Sequence, residues 1–382
     1  MSPARSVISR ARSPTFSSRA ATVHWLDGRE TGIRNEICKR QENAMPEMNR
    51  QVLLKRRPNG MPVPDDFAIV EGPLPEPSDS QVLLRGIYLS LDPYMRGRIS
   101  GQRSYATPTQ IGDVIEGRIV GQVVRSRHPD FREGDLVSGG YGWQTHSVVH
   151  GDALTKLDPA QAPLSTSLGV LGMPGLTAYV GLRTIGQPKA GETVVVSAAS
   201  GAVGAVAGQL AKRDGCHAVG IAGGADKCRY VTEELGFDGC VDHRRADLGA
   251  ALEAACPRGI DVYFENVGGD VQRVVYPLFN DFGRMIMCGM IAEYNDATPR
   301  PGPSLVAAVR KRLKIQGFIV SDHAALRSEY LEMAAPLVRS GQLKYREDIV
   351  EGIDNAPEAF IGLLQGKNFG KLIIKLGADP TR

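Results

Sequence analysis

Cysteine is scarce in this sequence: six in 382 residues, at positions 38, 216, 228, 240, 256 and 288, with no Cys-x-x-Cys spacing among them. That excludes a disulfide-stapled scaffold for a chain this long and leaves free thiols in a reducing compartment as the expectation. Long hydrophobic runs are missing too. The apolar segments are strand-length, well short of the ~20 residues that cross a bilayer, so no membrane span is expected. A surplus of either charge is also lacking. Residues 1–47 hold eight Lys/Arg and five Asp/Glu, and the remaining 37 of each sign cancel. Such a body has no overall field to draw nucleic acid or an anionic membrane, although local basic pockets stay open. No internal repeat is visible.

What is present suits an ordinary soluble protein: 42% hydrophobic and 23% charged residues. The length exceeds one typical domain and suits two. Residues 1–47 read differently from the rest. Met1 to Trp25 carries Arg5, Arg10, Arg12 and Arg19, with many Ser and Ala and no acid before Asp27. Two readings stand: an organellar transit peptide, which implies mitochondrial import, or an unstructured leader ahead of a start at Met45 or Met48. With a mere leader, the cytoplasm is the expected location.

From Arg50 the pattern changes. Gln51–Leu54 and Gln81–Leu89 read as strands, separated by the turn-rich stretches 58–64 and 72–79. Val114–Val124 and Leu136–Val137 continue this glycine-punctuated style, which predicts a small β-rich, partly barrel-like domain. After about Leu168 strands alternate with helices. Thr193–Ser197, His217–Ala222, Asp261–Asn266, Arg284–Gly289 and Leu313–Val320 read as strands, and 203–213 and 227–235 have helical periodicity. That alternation predicts an α/β domain with a doubly wound parallel sheet. Lys344–Leu376 returns to β character, so the C-terminus is expected to rejoin the first domain. The expected division is 48–168 with 345–382, and 169–344.

The clearest local feature is Thr193-Val-Val-Val-Ser-Ala-Ala-Ser-Gly-Ala-Val-Gly204. Ser200 stands where many dinucleotide folds carry a first glycine, while Gly201 and Gly204 keep the three-residue spacing. A residue without Cβ at Gly201 lets backbone approach a pyrophosphate, and one at Gly204 lets the helix pack closely. The N–H groups from Ser200 through Ala202 and Val203, with the positive end of the helix dipole, then face the anion. A strand before and a helix after supply the context this motif needs; a tight structural turn is the alternative. The next strand ends Ile221-Ala-Gly223-Gly224 with no acid to accept hydrogen bonds from a ribose 2′-hydroxyl. Asp226 is placed as the N-cap of the following helix. Lys227 and Arg229 offer cations for a 2′-phosphate, so NADPH is the expected cofactor, with Lys227 as a merely solvated helix residue left open.

These residues, together with Leu89-Ser-Leu-Asp-Pro-Tyr-Met-Arg-Gly-Arg98, Leu171-Gly-Met-Pro-Gly-Leu-Thr-Ala-Tyr179, Phe264-Glu-Asn-Val-Gly-Gly269 and Asn368-Phe-Gly-Lys371, make the chain resemble the medium-chain dehydrogenase/reductase superfamily. The match is to its zinc-free branch of prostaglandin/leukotriene, 2-alkenal and curcumin reductases, over residues 48–376. The resemblance implies a GroES-like catalytic domain interrupted by a Rossmann domain, with the active site between them. It implies that Lys227 binds the 2′-phosphate, and that Asn368 and the Met173–Thr177 turn contact the cofactor near its reactive end. His243 stands where relatives often place a tyrosine for the adenosine phosphate. Homodimerisation is likewise an implication of the resemblance.

Zinc-dependent relatives use Cys and His-Glu ligands in the first domain. Here Ser90 and Asp92 fall at the Cys motif, Ile111-Gly-Asp-Val-Ile-Glu-Gly117 replaces Gly-His-Glu, and 48–168 contain no cysteine. No metal is therefore expected. Reduction of a carbon–carbon double bond conjugated to a carbonyl needs none: hydride adds to the β-carbon, and a donor must stabilise the enolate oxygen. In the family that donor is a tyrosine after the fifth Rossmann strand, which points to Tyr294 in Ile291-Ala-Glu-Tyr-Asn295. Tyr94 is expected to face the same cleft and shape the substrate pocket. Arg96 is expected to hold the loop by pairing with acids, and Asn266 to contact the cofactor or cap a helix. Three functions stay open: an enone/enal reductase, a zinc-free quinone reductase, and a non-catalytic NADPH-binding protein.

Overall fold

The computed structural model describes residues 47–102, 104–298 and 300–382. The expectations for residues 1–46, Cys38 included, lie outside them. Fifteen strands are present among the described residues: β1 Met48–Leu54, β2 Phe67–Pro73, β3 Gln81–Ser90, β4 Arg118–Ser126, β5 Leu136–Tyr141, β6 His146–His150, β7 Thr155–Lys156, β8 Thr193–Ser197, β9 His217–Ala222, β10 Gly239–Asp242, β11 Ile260–Glu265, β12 Phe279–Met287, β13 Lys314–Gly317, β14 Glu347–Glu351 and β15 Lys371–Lys375. They make a two-stranded ribbon, a six-stranded parallel sheet and a seven-stranded, mostly antiparallel sheet.

The parallel sheet has the order β10-β9-β8-β11-β12-β13, the doubly wound pattern, whose crossing point between β8 and β11 is where such folds bind ligands. β8 is central, and all five of its residues are buried. A strand covered by helices on both faces has no use for polar alternation, and Thr-Val-Val-Val-Ser supplies none. Helix Gly204–Arg213 covers one face with eight buried residues. Phe237, in the connection before β10, packs so close to this helix that a Cβ at Gly208 would fall 1.7 Å from its ring. Helices Leu248–Ala255 and Gly269–Val275 cover the other face around Leu252, Tyr263 and Val275.

The antiparallel sheet runs β14-β15-β3-β4-β5-β7, with β6 also on β3. β15 pairs with β3, so the C-terminal segment does return to the sheet begun near the N-terminus. Its core gathers around Trp143, which stacks on Phe67 at 6.0 Å and meets Phe360 edge-on at 5.5 Å.

Several boundaries differ from the sequence reading. Strand β12 begins at Phe279, ahead of the expected Arg284, because the polar Asn280-Asp281 and a left-handed Phe282 (φ 62°) interrupt its apolar pattern. The strand expected over Val114–Val124 is Arg118–Ser126; Val114 makes only an isolated bridge to Leu53. The expected Leu313–Val320 strand shortens to Lys314–Gly317. Within 344–376 a helix, Ala356–Leu364, separates the two strands.

Candidate functional site

The glycine turn sits at the carboxyl end of β8. Ala198 adopts a left-handed backbone (φ 50°), which swings the chain out of the strand, and the helix begins at Gly204. A Cβ at Gly204 would lie 2.4 Å from the Ala198 carbonyl oxygen, so this glycine is required by the turn itself. At Gly201 a Cβ would meet only that carbonyl, at 3.1 Å. The space over Gly201 is left free for a ligand. Ser200, Gly201 and Ala202 form one wall of a cavity whose other side includes Tyr345, Arg346, Glu347, Gly370 and Lys371.

At the tip of β9 the chain is bare of acids. A Cβ at Gly223 would lie 2.8 Å from His243 Nε2, and one at Gly224 3.0 Å from Arg244 Nη1. Lys227 follows on the next helix and donates to the Gly366 carbonyl at 2.7 Å. Burial and the charge of Arg244 pull the Lys227 pKa below that of an ordinary lysine. Burial also lowers the His243 pKa, against the pull of the Asp242 charge. Two cations and an imidazole thus converge on a glycine tip, beside Asp242, whose carboxylate accepts the N–H groups of Gly224 and Arg244 at 2.9 and 3.0 Å. Arg244 escaped the sequence reading; its place beside Lys227 follows from the pairing of β10 with β9. Asp226 is not the helix N-cap. Gly224 holds that position, and Asp226 pairs with Arg229 inside the first turn.

Tyr294 follows β12. Its hydroxyl accepts the Met290 N–H at 3.3 Å and would lie 2.9 Å from a Cβ on Gly289, so that glycine makes room for the phenol. Among the described residues the hydroxyl proton has no acceptor. Burial raises the Tyr294 pKa, partly offset by the Met290 N–H. Tyr94 packs against the apolar core of the antiparallel sheet, and burial raises its pKa well above the ordinary range. Arg96 connects these two segments. Its Nε donates to Asn295 Oδ1 and its Nη2 to the Gly60 carbonyl, both at 2.8 Å. The expected acid partners of Arg96 are therefore replaced by an amide and a carbonyl, which tie the Tyr94 segment to the Tyr294 loop. Tyr105, which the sequence reading passed over, stacks on Arg98 at 4.9 Å and lies near both phenols.

Other expected site residues are held by their own surroundings. Asn266 Nδ2 donates to the Ser197 carbonyl at 2.8 Å, joining the ends of β8 and β11, while Gly268 takes the helix N-cap. Thr177 donates back to the Met173 carbonyl at 2.8 Å, and Asn368 to the Gly370 carbonyl at 2.8 Å. Glu265, fully buried, accepts the Tyr263 hydroxyl at 2.9 Å and the N–H groups of Val267 and Gly268 at 2.7 and 2.9 Å on one oxygen. It organises the loop after β11. Asp92 accepts from Ser90 at 2.5 Å and from Lys371 at 2.9 Å, in an ion pair buried on both sides. Among the described residues no three His, Cys, Asp or Glu side chains are grouped to hold a metal ion.

Comparison with known proteins fixes the family. Residues 50–157 match a model described as the N-terminal domain of oxidoreductase, and 202–339 one described as zinc-binding dehydrogenase. An NADPH-dependent curcumin reductase of Escherichia coli is 50% identical, over 87% of this chain and 98% of its own. A 2-alkenal reductase (NADP(+)-dependent) of Nicotiana tabacum is 40% identical, over 87% of this chain and 98% of its own. The chain belongs to the zinc-free branch of the medium-chain dehydrogenase/reductase superfamily. The crystal structure of CurA from Vibrio vulnificus in complex with NADPH superposes with a TM-score of 0.82 at 44% identity, covering 86% of this chain and all of that one. The fold is accordingly a GroES-like catalytic part with a Rossmann part. This reductase is an NADP-dependent oxidoreductase whose cofactor is NADPH. The residues present fit that cofactor: a cradle at Gly201 for the pyrophosphate, and Lys227, Arg244 and His243 gathered at the Gly223–Gly224 tip for the 2′-phosphate.

Proposed function

We propose that this reductase saturates the carbon–carbon double bond of α,β-unsaturated aldehydes and ketones. NADPH supplies the hydride that adds to the β-carbon. The protein's task is to hold the carbonyl and to meet the negative charge that grows on its oxygen. Tyr294 is the observation that carries this reading: a phenol placed over Gly289, with its acceptor side satisfied by Met290 N–H and its proton unspent. A raised pKa keeps that proton in place at neutral pH. Tyr94 and the Met173–Thr177 and Asn368 segments form the surroundings of the substrate and of the cofactor's reactive end. Lys227, with His243, takes the 2′-phosphate, and Ser200–Gly204 the pyrophosphate. The family resemblance and the relatives' own activities, as curcumin, 2-alkenal and prostaglandin reductases, support the same substrate class.

The test is NADPH oxidation with medium-chain 2-alkenals, 2-alkenones and quinones, with products identified by mass. Saturated aldehydes and ketones are expected. Exclusive turnover of quinones would replace this reading by a quinone reductase, and no turnover by a binding protein. In Tyr294→Phe the kcat should fall roughly 10²–10³-fold, the size of losing one oxyanion donor. An unchanged rate removes Tyr294 from the chemistry.

We also propose a homodimer. β13 is the edge of the six-stranded sheet and wholly exposed, and Leu305, Val306 and Val309 beside it are 70%, 56% and 77% exposed. An open edge with an apolar flank is a template for pairing with a second copy. Val309→Glu should shift the chain to monomer in light scattering; a wild-type monomer ends the proposal. The five described cysteines carry free thiols, which suits the cytoplasm as the location.

A further inference from the structure

The glycine turn offers only backbone N–H groups to a pyrophosphate that carries two negative charges. The opposite wall of the same cavity brings two cations, Arg346 and Lys371. Lys371 is committed elsewhere: its ammonium donates to the Leu91 carbonyl at 2.7 Å and to Asp92 at 2.9 Å. Arg346 is not committed, since its guanidinium has no hydrogen-bond or ion-pair partner among the described residues. Its orientation is nevertheless fixed. The guanidinium lies 4.0 Å from the centre of the Phe369 ring, and Phe369 in turn meets Tyr230 edge-on at 5.1 Å. The Arg346 carbonyl is anchored as well, by the Lys371 N–H at 2.8 Å. A guanidinium laid on an aromatic face keeps its N–H edge free, and that planar fork matches a phosphate with two parallel bonds.

We propose that Arg346 is the cation that binds the pyrophosphate of NADPH, from the wall facing Ser200–Ala202. The inference rests on NADPH as cofactor and is independent of the substrate. Glu347 lines the same cavity; burial raises its pKa, and Ser165 donates to its carboxyl at 2.8 Å. The Tyr230 hydroxyl, buried and without a hydrogen-bond partner, feels the Arg346 charge and offers a second donor on this side.

The test is equilibrium binding to the full chain, by NADPH fluorescence and by calorimetry, with NADPH, NADH and 2′-AMP as probes. The last of these has the 2′-phosphate and no pyrophosphate. Arg346→Gln should weaken NADPH and NADH by the same factor, about ten- to a hundred-fold, and leave 2′-AMP unchanged. Lys227→Ala should do the reverse, weakening NADPH and 2′-AMP while sparing NADH. Arg346→Lys should recover part of the loss, because a point charge replaces the fork. Wild-type NADPH affinity in Arg346→Gln overturns the proposal. Weakening of 2′-AMP as large as that of NADPH overturns it too, since Arg346 would then act at the other phosphate or through the fold.

Discussion

The two sheets of this reductase place their polar groups in opposite ways. In the parallel sheet many of them are backbone at strand ends: the Ser200–Gly204 turn, the Gly223–Gly224 tip, and the Val267 and Gly268 N–H groups gathered on the buried Glu265. In the antiparallel sheet they are side chains drawn from distant segments, such as Lys371 on Asp92 and Tyr88 on Asp379. Backbone sites tolerate little change in size but need no partner. Side-chain sites depend on partners remote in sequence. A mutation should therefore act locally in the first region and through a network in the second.

The sharpest test of that contrast is Lys371→Ala. Leaving Asp92 buried and unpaired should cost about 3–5 kcal/mol of stability, read as a large fall in Tm, whereas replacing both partners with apolar residues recovers much of it. Equal losses in the single and double variants would mean that packing, not charge, holds this turn. Arg244→Ala comes next on the other side. It should weaken NADPH about tenfold, as expected for one charge-assisted bond, with NADH unaffected. Equal weakening of both cofactors would remove Arg244 from the 2′-phosphate site. The smallest effect expected is at the amino end of the parallel sheet. Glu192 accepts from Arg284 and from the Lys189 N–H at 2.8 Å, and although burial opposes it, these bonds hold its pKa below the usual carboxylate value. Its contribution, about 1 kcal/mol, is complete above the unfolded value of roughly 4.3 and fades as pH falls through the folded one. Thermal melts of Glu192→Gln and wild type should therefore converge below that range; a gap that persists at low pH breaks the assignment.

The sequence exposed the parallel region well because its signals are local. Strand, glycine turn and helix adjoin along the chain from Thr193 to Arg213, and the acid-free tip follows within one unit. Where local pattern and tertiary need conflict, the reading slipped. Asn280 and Asp281 hid the start of β12, and Gly224, through its positive φ, took the cap position expected for Asp226. Tyr94, beside the antiparallel core, and Tyr294, after β12 of the parallel sheet, were found through separate motifs, but nothing in either pointed to Arg96 as the link between them. The partner expected for Arg96 was an acid. A carbonyl and an amide serve instead, because in a buried site hydrogen-bond geometry decides as much as charge.

What the sequence determined by itself was a doubly wound nucleotide fold, with Gly201 and Gly204 at the spacing of a dinucleotide-fold turn. Those requirements lie within a few residues of one another, so they are written along the chain. Only the tertiary structure decided which cations face that backbone. Arg244 reaches the tip because β10 pairs with β9, and Arg346 faces the turn because β15 pairs with β3 and holds β14 beside it. Such partners are set by sheet order and by the stacking of one side chain on another, which no spacing in the sequence encodes.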